Sequence, residues 1–124
     1  MRNPRVILVC DNDQETLQAI QRSIGKEGYD VVSIDDASVL IENAQRLNPG
    51  VILVNPDMKA FNEYDVCNKL MQKMKIPVIL LLDPNSTTRA QIDKCMIEDV
   101  MTRPIEMDNL SNLIAKNITV VQRH

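Results

Sequence analysis

This chain predicts a doubly wound α/β fold, a parallel sheet covered by helices on both faces. Three observations carry that expectation. Five apolar runs come in turn: Val6-Ile7-Leu8-Val9, Val31-Val32-Ser33-Ile34, Val51-Ile52-Leu53-Val54, Val78-Ile79-Leu80-Leu81 and a weak Val100-Met101. The stretches between them place apolar residues at helical spacing. Most of the runs are apolar at successive positions, so both faces of each strand must be buried, as in sheets with helices on either side.

The elements follow in order. After the first run, Asp13 can cap a helix with Leu17, Ile20 and Ile24 on one stripe. Gly25 and Gly28 punctuate its end. Asp35 or Asp36 can cap the second helix, with Val39, Leu40, Ala44 and Leu47 inward, and Asn48-Pro49-Gly50 stops it. Cys67, Leu70, Met71 and Met74 mark the third helix, and Pro77 opens the fourth strand, where a missing N–H is tolerated. A fourth helix from Ser86 has a thin stripe of Ala90, Ile92, Cys95 and Met96. The last helix takes Asp108 as its cap and Leu110, Leu113, Ile114 and Ile118 as its buried face.

The 124 residues suit one domain over 1–124. Net charge is −3 with the signs interspersed, which is not the clustered basic face of a direct nucleic-acid binder. The apolar runs are far shorter than the roughly 20 residues of a membrane span, so no membrane partner is expected. Met1-Arg2-Asn3-Pro4 lacks a signal-peptide pattern. Cys10, Cys67 and Cys95 have no CxxC spacing, which disfavours a zinc or dithiol site; they read as free, small hydrophobes in a reducing, cytoplasmic setting. The only histidine is His124, the last residue, so no Ser/His/Asp triad is in view. With no GxGxxG, no P-loop and no nucleophile–base pair, an enzyme is not expected.

In doubly wound sheets the functional crevice lies at the carboxyl ends of the strands. Here those ends are Cys10-Asp11-Asn12, Asn55-Pro56-Asp57, Leu82-Asp83 and Thr102-Arg103-Pro104. In that order, and together with Lys26-Glu27-Gly28-Tyr29-Asp30 and Ile76-Pro77, they resemble the receiver domain of bacterial response regulators over roughly Arg5 to Ile118. The resemblance implies a flavodoxin-like (βα)5 fold with strand order 2-1-3-4-5 and a place in two-component, phosphorelay signalling.

The family's chemistry needs two acids after strand one and a phosphoacceptor aspartate after strand three to hold magnesium. It also needs a hydroxyl after strand four and a lysine after strand five. The matching positions here are Asp11, Asn12, Asn55, Leu82 and Arg103. An amide offers no anionic oxygen to attack phosphorus. One carboxylate and two amides are a poor set for a hard, oxygen-seeking ion. No cofactor is therefore expected, and magnesium binding is expected to be weak or absent. Arg103 is expected to bond Asp11 through its guanidinium fork, cancelling its charge, and the family's cis bond is implied between Arg103 and Pro104.

The chain thus reads as a divergent, pseudo-receiver type, a phosphorylation-independent interaction module. Its expected face is built from the fourth helix, the fifth strand and the last helix. Its expected partner is a protein or a second copy, with a histidine kinase or an output domain as candidates. Two alternatives stand beside it: a working receiver that uses Asp57 as a displaced acceptor, or a small-ligand-binding flavodoxin-like domain. Pro56 disfavours the first by fixing the backbone between Asn55 and Asp57. Met58, Met96, Met101 and Met107 are either filler or an adaptable surface.

Overall fold

In the computed structural model, residues 2–86, 97 and 99–122 are described. The chain alternates β1 (Asn3–Cys10), α1 (Gln14–Gly25), β2 (Asp30–Ile34), α2 (Leu40–Leu47), β3 (Pro49–Val54), α3 (Asp65–Lys73), β4 (Val78–Leu82), β5 (Val100–Thr102) and α4 (Met107–Gln122). The fourth helix expected from the sequence falls on residues 87–96 and lies outside the described residues. The five strands are parallel in the order β2-β1-β3-β4-β5, which is the order expected.

Strand periodicity divides the core into two layers. Leu8, Cys10, Ile52, Val54, Val78, Leu80 and Leu82 point to the face covered by α2 and α3. Ile7, Val9, Val51, Leu53, Ile79 and Leu81 point to the face covered by α1 and α4, where Ile20, Ile24, Leu110 and Ile114 meet them. All six residues of β3 are buried. Leu53 is wholly enclosed, and truncating such a leucine to alanine costs about 2–5 kcal/mol. Gly50 lies so close to β1 that a Cβ there would stand 2.8 Å from Pro4 Cα.

The ends of α2, α3 and α4 follow their side chains, with two differences from the sequence reading. Asp36 accepts from the Ser38 backbone N–H at 2.9 Å and starts a short 3-10 turn into α2. The Ser38 hydroxyl, which donates to the same oxygen at 2.6 Å, and then this backbone bond hold its carboxyl below the usual range. Asn48 closes α2 in the left-handed conformation, φ 48°. At α4 the cap is Glu106 rather than Asp108. Its carboxylate accepts from the backbone N–H groups of Asp108 and Asn109 at 3.2 and 2.9 Å. Glu106 is three residues before Asn109, the reach of an N-cap side chain, whereas Asp108 already lies in the first turn.

The second difference concerns α3, which is a π-helix. Its last N–H bonds run five residues back, from Met74 to Lys69, and Lys75 ends it with φ 60°. Val66 joins Leu70 as a buried anchor of this helix, while Cys67 is only half-buried. Cys67 is also disulfide-bonded, which corrects the reading of three free thiols. Cys10 is free and buried.

Candidate functional site

The carboxyl ends of β1, β3, β4 and β5 meet because parallel neighbours place them side by side. Parallel register pairs Cys10 with Val54 and Leu82 with Thr102. The residue that follows each strand end therefore enters one crevice.

Asp11 is its buried centre, with no exposed surface. Its Oδ1 accepts from the Asp13 backbone N–H and from Asn55 Nδ2, each at 3.2 Å. Its Oδ2 accepts from Arg103 Nη2. Asn55 is buried too. Its Oδ1 accepts from the Asp57 backbone N–H at 2.9 Å, and its own N–H donates to the Cys10 carbonyl at 2.9 Å. The amide therefore faces a carboxylate with its donor end and a backbone N–H with its acceptor end.

Arg103 crosses the crevice from β5, its backbone held by Leu82 at 2.8 Å. The bond to Pro104 is cis. The three guanidinium nitrogens take different partners. Nη2 bonds Asp11; Nη1 donates to Thr16 Oγ1 at 2.6 Å and lies 3.4 Å from Asp13; Nε lies 3.4 Å from Asp83. The Thr16 hydroxyl in turn donates to Asp13 Oδ2 at 2.6 Å. The forked pairing with Asp11 alone is thus corrected to a three-way contact. So is the charge cancellation: three carboxylates surround one guanidinium. Asp13 sits at the N-cap position of α1 without a side-chain bond to the helix backbone, because its carboxylate serves Thr16 and Arg103 instead.

Burial ranks these contacts. The Arg103 side chain is 12% exposed and that of Asp11 is 0%, whereas those of Asp13 and Asp83 are 46% and 54% exposed. Half-exposed ion pairs contribute about 0–1 kcal/mol. A buried carboxylate left without its partner costs several times that. The Asp11–Arg103 pair is therefore the contact that matters most for stability.

The other expected positions lie around this centre. Asn12 is exposed at the rim. Asp57 is exposed and accepts from the Ser86 hydroxyl at 2.8 Å. Leu82 is 2% exposed and belongs to the core layer under α2 and α3, where it presents an isobutyl group. Pro104 is exposed. Met58 is buried, with its Sδ 3.8 Å from Cys10 Sγ, and Met101 and Met107 pack partly against the other layer. Met96 lies outside the described residues. Burial, then the neighbouring Asp11, Asp36 and Asp35, push the Cys10 thiol up to about 12. Thr16 was not singled out in the sequence, although its place one turn after Asp13 was a usable signal.

Among the described residues, no buried side-chain nitrogen or oxygen lacks a partner. No three His, Cys, Asp or Glu side chains among them group closely enough to hold a metal ion, and no helix is long and apolar enough to cross a membrane.

Comparison with known proteins agrees with this architecture. The chain is 25% identical over 104 residues to the alkaline phosphatase synthesis transcriptional regulatory protein PhoP of Bacillus subtilis (strain 168), covering 79% of this chain and 42% of that protein. It thus spans less than half the length of that curated relative. The signal receiver domain of a putative Luxo repressor protein from Vibrio parahaemolyticus superposes with a TM-score of 0.81 at 18% identity, over 98% of this chain and 94% of that one. The receiver domain of the Francisella response regulator 1452 gives 0.77 at 23% identity, over 94% and 98%. The family model of the response regulator receiver domain matches residues 7–115. With that match over most of its length, the chain belongs to the response regulator receiver domain family.

Proposed function

We propose that this receiver domain has lost phosphoryl transfer and acts as a phosphorylation-independent protein-interaction module of a two-component pathway. The observation that carries the reading is the bonded set Asn55–Asp11–Arg103. Position 55 holds an amide whose donor is turned to Asp11. An amide has no anionic oxygen with which to attack phosphorus. The residues present do not fit a magnesium site. Both oxygens of Asp11 are engaged, Oδ1 by the Asp13 backbone N–H and the Asn55 amide and Oδ2 by the Arg103 guanidinium, which also pairs with the carboxylates of Asp13 and Asp83. A hard divalent ion takes six or more oxygen ligands and dehydrates reluctantly. Leu82 supplies no hydroxyl for a phosphoryl oxygen.

The switch is lost on the same reading. Leu82 is locked in the core layer, and Val100, β-branched and stiff at χ1, packs against that layer. A ligand shifts a population only where a second state exists. We therefore assign signalling to one constant surface. Its described part is a groove of about 540 Å³ between β5 and α4, lined by Val100, Thr102, Pro104, Glu106, Asn109 and Lys116 among others. The partner is a kinase, an output domain or a second copy. Cytoplasmic placement belongs to the same proposal.

The test is incubation with acetyl phosphate and magnesium, read by intact mass, with beryllofluoride read by NMR. No adduct and no shift are expected. A phosphoryl group mapped to Asp57 would support the displaced-acceptor reading instead. On the partner side, Lys116→Glu should weaken binding and Asn55→Ala should leave it unchanged; the reverse pattern would move the functional site to the crevice.

A further inference from the structure

We propose that the guanidinium of Arg103 is the resident cation of the crevice, seated in a cradle selective for a planar guanidinium group. The inference rests on the reading of Asn55 and Asp11 given above and deepens it. The observation is the division of labour among three nitrogens. Nη2 bonds Asp11, Nη1 bonds Thr16 and Asp13, and Nε lies 3.4 Å from the carboxylate of Asp83 as an ion pair. These partners come from the β1–α1 junction and the end of β4, while Arg103 itself comes from the end of β5. One side chain therefore joins three strand ends.

The geometry differs in kind from a metal site. A metal draws its ligands toward one point. Here the partners are distributed over three separate nitrogens of one guanidinium fork. A lysine presents its three donors from one nitrogen, so it converges on a point and does not span the width of the fork. The neighbouring amide of Asn55 completes the pattern, because it gives Asp11 a donor without adding a second positive charge. A tethered cation does not exchange with solvent. The crevice is then indifferent to the concentration of divalent ions, which suits a module with one constant conformation.

The test uses Arg103→Ala in the full chain and reads thermal melting. The melting temperature should fall by on the order of 10 °C, because Asp11 is left buried and unpaired. Millimolar methylguanidinium should restore part of that loss and shift the amide resonances of Asp11, Asp13 and Asp83. Methylammonium and magnesium at matched ionic strength should restore less. The wild type should respond to none of them. Arg103→Ala melting like the wild type, or magnesium restoring it as well as methylguanidinium does, overturns the proposal. If Arg103→Ala does not fold, Arg103→Lys carries the test. It should melt below the wild type, and equal stability would overturn the proposal. Neither result depends on phosphorylation, so the cradle and the loss of phosphoryl transfer fail separately.

Discussion

Asn55 donates through Nδ2 to Asp11 Oδ1 at 3.2 Å, a bond that an ionised aspartate at position 55 has no hydrogen to make. The substitution Asn55→Asp would set two carboxylates at hydrogen-bond distance in a buried site. Like charges so placed raise the acid's pKa. An acid whose folded pKa is raised loses stability as pH rises from its unfolded value through the folded one. Asn55→Asp should therefore melt below the wild type at pH 7, by about 1–3 kcal/mol in stability, with the gap narrowing toward pH 4. It should also remain unphosphorylated by acetyl phosphate, since Leu82 and the Arg103-bound Asp11 are unchanged. Efficient phosphorylation of this variant would contradict the assignment.

Ala60 lies in the loop after Asn55 with φ 69°. A side chain in the left-handed region costs roughly 1–2 kcal/mol, and a glycine there costs extra unfolded-state entropy of under about 1 kcal/mol. Ala60→Gly should therefore raise stability by up to about 1 kcal/mol in urea unfolding. A lower midpoint would show that the Ala60 methyl makes a contact worth more than the strain.

Cys10 is buried, and burial pushes its thiol up from its ordinary value of 9.0 to about 12. The folded thiol resists ionisation, so stability is fully present below pH 9 and declines as pH rises from there toward 12. At pH 8 Cys10 should stay unmodified by iodoacetamide in the native protein and react after unfolding. Cys10→Ser should remove the alkaline decline attributable to this residue. Rapid native-state alkylation of Cys10 would mean that the β1 end opens to solvent.

Lys116 pairs with Asp99 at 3.6 Å, with the lysine side chain 64% exposed. Reversing its charge should cost under about 1 kcal/mol in stability, as expected for an exposed pair. Any larger loss of partner binding then reports on the surface and not on folding. Thermal melting alongside a binding titration separates the two. Arg89, a second position for such a change, lies outside the described residues.

The core and its layers were legible in the sequence because they depend on short-range period. Leu8 and Cys10 fall on one face and Ile7 and Val9 on the other, as any strand of that sequence must place them. The helical stripe of Leu17, Ile20 and Ile24 is buried as its spacing required. The left-handed stop at Asn48 follows from local chemistry in the same way. The cap of α4 was misplaced by two residues, because Glu106 and Asp108 are both acids near a helix start and only backbone geometry tells which carboxylate reaches the free N–H groups.

The crevice divides along the same line. That Asp11, Asn55, Leu82 and Arg103 stand at strand ends was set by the sequence, through the alternation of apolar runs and helices. How Arg103 spends its three nitrogens was decided only by the tertiary structure. Asp13, Thr16 and Asp83 lie 90, 87 and 20 positions away along the chain, and no local pattern relates residues so distant. Their meeting depends on β5 pairing with β4 and on the reach of the Arg103 side chain across the strand ends to the β1–α1 junction. The interaction energy of charges varies steeply with distance and burial. Parallel packing of the strands set the buried carboxylate, Asp11, against Arg103, with Asp13 and Asp83 at the half-exposed edge.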